Sequence, residues 1–157
     1  MTLAGEVGEL LRSKGLTLSV SESCTGGKVG DLITDVPGSS DYFLGGVVSY
    51  SNQAKMDLLR VDPATLERKG AVSEEVALQM ASGVRAALKA DVGIGITGIA
   101  GPTGGTTTKP VGLVYIAVSS AVRAVCRRTL FSGSREKVKS QAAKEALSIL
   151  KDFLLQH

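Results

Sequence analysis

Apolar residues recur at helical spacing at Leu3, Val7, Leu10 and Leu11 and stop at Gly15, which predicts a helix over 3–14 with glycine as its C-cap. Leu16 to Val20 reads as a short strand, the polar stretch from Ser21 to Gly27 as a turn, and Val29, Leu32 and Ile33 as the return of the helical period. After the turn at 37–41, Phe43 to Ser49 has strand character, and Tyr50-Ser51-Asn52 opens a helix with Ala54, Leu58 and Leu59 on one side. Asp62-Pro63 supplies a cap and first helical residue for a short helix ending at Gly70, and Ser73 caps a longer one through Leu88 with Val76, Met80, Val84 and Leu88 in one stripe. Asp91 to Ile96 is a strand that empties into a small-residue loop from Thr97 to Gly105, continuing to Pro110. Val111 to Ser119 and Val122 to Phe131 form a hairpin, and Ser134 opens a terminal helix carrying Val138, Ala142, Leu147, Leu150 and Leu154. Strands that alternate with helices and finish in a hairpin predict one α/β domain over 1–157, a layered α/β/α fold with a mixed sheet.

The composition narrows the chemistry more than the fold. The 157 residues include 19 glycines, about 12% against a usual share of roughly 7%, and four prolines, so the excess glycine belongs to particular loops rather than to a collagen-like or disordered chain. No apolar run approaches membrane-spanning length and the first charged residues are acidic, so a cytoplasmic protein without membrane contact is expected. Cys24 and Cys126 are too few and too isolated for a disulfide scaffold or a zinc site, and no metal or organic cofactor is expected. The only histidine is His157, at a chain end expected to fray, so histidine-based triads and dyads are unavailable and any acid or base must be Lys, Tyr, Asp or Glu.

The net charge of +3 conceals an asymmetry, with 9 Lys/Arg against 12 Asp/Glu in residues 1–108 and 9 against 3 in residues 109–157. The basic residues Arg123, Arg127, Arg128, Arg135, Lys137, Lys139 and Lys144 suit a solvated helix face or a phosphate contact by part of the set. No aromatic residues are interleaved for base stacking, so nucleic acid is not an expected partner.

Two literal motif matches fail on context. Gly93 to Gly98 fits G-x-G-x-x-G, but its first two glycines lie inside an apolar strand and Pro102 interrupts the helix that should follow. Gly26-Gly27-Lys28 is followed by Val29, and position 21 is serine, so no Walker A loop exists. What remains is two small-residue loops, Ser21 to Gly27 and Thr97 to Gly105, each leaving a strand end, where an open α/β sheet gathers its ligands. Taken with Tyr50, Asn52 and Lys55 at a third strand end, they form one candidate site. Its nucleophile is Ser23 or Cys24, the latter equally readable as a small buried hydrophobe, and its base is Lys55 or Tyr50, since a desolvated lysine can take a hydroxyl proton and a phenol can relay it.

Five blocks in order carry a resemblance that spans nearly the whole chain: Ser21-Glu22-Ser23-Cys24-Thr25-Gly26-Gly27; Pro37-Gly38-Ser39-Ser40 with the run from Gly45 to Lys55; Gly70-Ala71-Val72-Ser73; Thr97-Gly98-Ile99-Ala100-Gly101-Pro102; and Lys109-Pro110-Val111-Gly112. The chain resembles the CinA carboxy-terminal domain family, whose characterised activity is deamidation of nicotinamide mononucleotide to nicotinic acid mononucleotide and ammonia in pyridine nucleotide recycling. The resemblance implies Ser23 as nucleophile and Lys55 as its basic partner, with Tyr50 beside them. Thr25, Gly26, Gly27, Asn52, Thr97, Gly98 and Arg135 are the residues expected to hold a small-molecule nucleotide, and the amides from Cys24 to Gly27 are the expected oxyanion donors. The family commonly has Gly-Asp-Arg before its terminal helix, whereas this chain has Gly133-Ser134-Arg135 and lacks the aspartate. Many members carry a further amino-terminal domain related to molybdopterin-binding proteins; the present sequence reads as the stand-alone form, for which a homo-oligomer is compatible and a non-catalytic nucleotide-binding module is the rival reading.

Overall fold

A computed structural model describes residues 1–156; His157, at the predicted frayed end, lies outside the described residues. The elements run α1 (Leu3–Lys14), β1 (Leu18–Glu22), α2 (Lys28–Thr34), a 3-10 turn (Ser39–Asp41), β2 (Phe43–Val48), α3 (Asn52–Leu59), α4 (Pro63–Lys69), α5 (Glu74–Leu88), β3 (Val92–Gly98), β4 (Leu113–Ser119), β5 (Ala124–Leu130) and α6 (Arg135–Leu155). Most helices start where a short polar side chain accepts from an otherwise orphan amide: Thr2, Ser51, Asp62, Ser73 and Ser134 do so for α1, α3, α4, α5 and α6.

The sheet has the order β2-β1-β3-β4-β5, with β1 parallel to both β2 and β3, and β4 and β5 added antiparallel. One face packs against α1, α2 and α6 through Leu18, Val20, Ile94, Ile96, Ile116 and Leu150. On the other face α5 lies on β3 and β4, with α3 and α4 beyond it. This is the expected α/β/α layering of one domain with a mixed sheet. Among the described residues no helix is long and apolar enough to cross a membrane.

Several strand bounds differ from the sequence expectation, each for a local reason. β1 begins at Leu18 rather than Leu16, because the Leu16 amide closes the end of α1 by donating to Leu11 O at 2.9 Å. It extends through Ser21 and Glu22, and β3 through Thr97 and Gly98, since ladder bonds to neighbouring strands continue beneath these polar side chains. β4 starts at Leu113, after Gly112, whose φ of 93° and close backbone neighbour, Phe131 O, end the regular strand. β5 starts at Ala124, because Ser120 N donates to Arg123 O at 2.8 Å and draws Val122 and Arg123 into the hairpin turn.

The strand Val92–Gly98 explains its own misleading motif. Ile94 and Ile96 point to the α6 side, while Gly93 and Gly95 point to α5, so the glycine spacing is the two-residue period of a sheet and not a phosphate loop. A Cβ on Gly95 would stand 2.3 Å from Ala77 O, and one on Gly93 2.2 Å from Ala81 O. Gly95→Ala is therefore expected to push α5 off the sheet and lower unfolding stability by about 2–3 kcal/mol, seen as a lower denaturant midpoint at unchanged slope.

Candidate active site

The position of β1 between its two parallel neighbours, β2 and β3, sets the location. From β1 the chain passes over one face to β2 and returns across the other face to β3, so the C-terminal ends of β1 and β3 part at a topological switch point. Ser23 N donates to Ile96 O at 3.1 Å and Ser49 N to Glu22 O at 2.8 Å, which holds the three parallel strand ends level. Ser23, Cys24, Lys55, Tyr50, Asn52, Thr97, Gly98 and Arg135 line one cleft there, of about 190 Å³, closed by Ala71, Val72 and Ala100. A larger cleft of about 440 Å³, running from Met1 to Leu147, is mainly aliphatic and brings together no such set of groups.

Lys55 is only 1% exposed, one of the largest fully buried side chains. Ser51 caps α3, and the fourth residue after the cap sends its side chain back toward the helix start. The Nζ donates to Ser23 Oγ at 3.0 Å, to Ser49 O at 2.8 Å and more weakly to Tyr50 O at 3.4 Å. None of these partners is a carboxylate. Burial pushes the amine below its ordinary value of 10.5, with only a small opposing influence from Cys24. The Ser49 hydroxyl is buried with no protein partner among the described residues.

The neighbouring thiol differs from the hydroxyl. Cys24 is 5% exposed within the core beneath the sheet, and burial, reinforced by the charge of Glu22, raises its pKa to about 11. Cys24 is thus a protonated, packed side chain at neutral pH, in keeping with its reading as a small hydrophobe.

Not every expected residue reaches the cleft. Thr25 is fully buried and its Oγ1 donates to Glu22 Oε1 at 2.6 Å; Gly26 and Gly27 do not line the cleft either. The Gly26 amide donates to Ser23 O at 3.1 Å and the Gly27 amide to Glu22 Oε1 at 3.2 Å, so these two are not free to meet an oxyanion as the sequence reading expected. The Thr25 amide has no backbone acceptor among the described residues, and the Cys24 amide meets only its own thiol.

Glu22 itself was not singled out in the sequence. Its carboxylate, 1% exposed, also accepts from Val29 N at 3.1 Å and Gly30 N at 3.0 Å, which substitutes for the side-chain cap that Gly27 cannot give α2. A glutamate at a strand end, just before a glycine pair and a helix, is the signal that could have marked it.

Thr97 Oγ1 donates to Ala71 O at 2.9 Å, tying β3 to the segment before α5, and Gly98 lies so close to β4 that a Cβ would be 2.6 Å from Val114 Cγ2. Arg135 Nη1 donates to Gly101 O at 2.7 Å and Nη2 to the Tyr50 hydroxyl at 2.9 Å. The guanidinium is thus oriented without the missing aspartate, whose place Ser134 takes as the cap of α6, accepting from Lys137 N at 3.3 Å. Tyr50 is 62% exposed, and its carbonyl rather than its hydroxyl meets Lys55.

Comparison with known proteins agrees with this fold. The CinA C-terminal domain profile matches residues 1–154. A CinA-like protein of Cyanothece sp. is 54% identical over 157 residues, covering 98% of this chain and 37% of that protein, so the present chain spans a little over a third of such relatives. A crystal structure of a competence-damaged protein (CinA) superfamily member from Klebsiella pneumoniae superposes with a TM-score of 0.95 at 33% identity, over 99% of this chain and 97% of that one. The competence/damage inducible protein of Agrobacterium tumefaciens does so with a TM-score of 0.92 at 37% identity, covering 94% and 91%. In sequence and in fold alike, the chain belongs to the CinA C-terminal domain family.

Proposed function

We propose that this chain is a single amidohydrolase domain converting nicotinamide mononucleotide to nicotinic acid mononucleotide and ammonia. The observation that carries the reading is the buried contact of 3.0 Å between Lys55 Nζ and Ser23 Oγ, with no carboxylate to hold the lysine charged. A lysine so placed can be neutral for part of a cycle and accept the serine proton, which a surface lysine at its ordinary pKa does rarely.

Ser23 Oγ attacks the carboxamide carbon while its proton passes to Lys55 Nζ. The tetrahedral oxyanion collects on the amide of Cys24, at the wall of the cleft, such a donor being worth about 3–4 kcal/mol in other acyl transfers. The C–N bond then breaks, and the departing nitrogen takes the proton from Lys55 and leaves as ammonia. Water, deprotonated by the regenerated amine, attacks the acyl-serine; the ester C–O bond breaks, Ser23 recovers its proton, and the carboxylate leaves. Lys55 is assigned as the base in both halves, and Tyr50, whose hydroxyl is engaged by Arg135, belongs to the rim of the cleft. Asn52, Thr97 and Gly98 line the substrate's way in.

The surroundings favour a small substrate over nucleic acid. Arg127 is neutralised by Glu145 and Asp152, and the Arg123 guanidinium is held against the Phe153 ring at 3.9 Å, so part of the basic surface is engaged internally.

The purified chain with nicotinamide mononucleotide is expected to release ammonia and nicotinic acid mononucleotide in equal amounts. Among the described residues no three His, Cys, Asp or Glu side chains cluster as a metal site, so the rate is expected to be the same in excess chelator. Tight binding of the nucleotide without ammonia would make this a binding module; a rate lost in chelator and restored by a divalent ion would replace the metal-free scheme.

A further inference from the structure

The cleft is smaller than the roughly 300 Å³ at which small-molecule sites usually begin, so it can take the reacting end of a nucleotide but not its ribose phosphate, which must lie across the rim. One side of that rim is the first two turns of α6. Arg135 lines the cleft there, and Lys139, four residues on, shares its helix face.

Lys139 is half-buried, and no ion pair or hydrogen bond engages it among the described residues. Two other cations in the basic third of the chain are matched by carboxylates, Arg127 by Glu145 and Asp152, and Lys151 by Glu6, while Arg128, Lys137 and Lys144 make no ion pair among the described residues and lie away from the cleft. The ammonium sits over the nucleophile loop, for a Cβ built on Gly26 would be 3.5 Å from Lys139 Nζ. Its charge also reaches the Cys24 thiol, beside Ser23. A half-buried ammonium with three open donors thus stands one turn from a guanidinium that has used two of its five N–H groups.

We infer that Lys139, with Arg135, forms a subsite for the phosphomonoester of the substrate and is the residue that selects a phosphorylated nucleotide over its nucleoside. The inference rests on the amidase reading for the reaction but not for the binding. A dianion at this point meets two cations of different geometry, the guanidinium fixed by Gly101 and Tyr50 and the ammonium free to turn, and the reactive ring is left to enter toward Ser23.

The test compares wild type, Lys139→Gln and Lys139→Arg with nicotinamide mononucleotide and with nicotinamide riboside, which lacks the phosphate. For Lys139→Gln the mononucleotide-over-riboside preference in kcat/KM is expected to fall about 10- to 100-fold, the loss residing in KM, while Lys139→Arg restores most of it. Calorimetric titration of both ligands into the Ser23→Ala protein reads the same preference without turnover. If neither ligand releases ammonia but the binding preference still collapses in Lys139→Gln, the amidase reading fails and the subsite stands. An unchanged preference in Lys139→Gln, an equal loss for both ligands, or no binding of the mononucleotide to the wild type would overturn the subsite. Equal thermal midpoints for the three proteins exclude misfolding as the cause, and an unfolded Lys139→Gln leaves Lys139→Arg against Lys139→Met as the deciding pair.

Discussion

Ser23→Ala is expected to abolish ammonia release, by roughly four orders of magnitude or more, while nicotinamide mononucleotide still binds. The hydroxyl forms the bond that makes the acyl-enzyme, and without it the remaining groups can orient and polarise the amide but cannot split its hydrolysis into two easier steps. Binding should survive because the cleft wall is otherwise intact: Ser23 N keeps its bond to Ile96 O, and the rim groups Tyr50, Asn52 and Arg135 are untouched. Cys24→Ala serves as the contrast. Its thiol lines the cleft beside Ser23 but, raised to about 11, stays protonated at neutral pH, so the variant should lose some stability and little rate. An inactive Cys24→Ala beside an active Ser23→Ala would exchange the nucleophile for a thiolate. Quench-flow with the wild type, looking for an acyl-enzyme burst, is the direct check.

Lys55 variants should show the second large effect, and in a form that separates a base from a structural cation. Lys55→Met keeps the length of the side chain and removes the amine, so turnover should fall by roughly two to four orders of magnitude with nucleotide affinity largely kept. Lys55→Arg should lose as much, because a guanidinium does not deprotonate; being larger in a fully buried site, it is the variant more prone to misfold.

The sign of the pH dependence follows from the lowered pKa. Below the folded-state pKa of Lys55 the wild type is inactive in the base role, and kcat/KM should rise with pH through that value. Stability moves the same way. Between the lowered folded pKa and the ordinary 10.5 the unfolded chain binds more protons than the folded one, so wild-type stability rises with pH across that window. Below the window the folded protein carries the full cost of burying an ammonium, and Lys55→Met is then expected to be at least as stable as the wild type. Denaturant unfolding at several pH values measures the gap, which should shift in favour of the wild type as pH rises; a pH-independent gap together with normal turnover in Lys55→Met would remove Lys55 from the chemistry.

Local chemistry written in the sequence determined where the helices begin and how the layers form. Ser51, Asp62, Ser73 and Ser134 are caps whichever way the chain folds beyond them, and apolar periods of 3.6 and 2 assign faces without reference to distant contacts. The family resemblance, carried by blocks of small and polar residues, also placed Ser23, Lys55, Thr97 and Arg135 together before any distance was known, and the strand ends bring them to one cleft.

Tertiary structure decided what each of those groups faces. Lys55 lies 32 residues from Ser23, and only the parallel alignment of β1 with β2 brings Nζ onto Oγ and buries it, the condition that lowers its pKa. The hydroxyl of Tyr50 belongs to Arg135, 85 residues away, and the polar loop from Thr25 to Gly27 turns inward onto Glu22. A period or a motif reports which residue types a segment needs; it carries no information on which of two nearby donors a carboxylate will claim, because that depends on the few tenths of an ångström by which separate strands and helices are packed together.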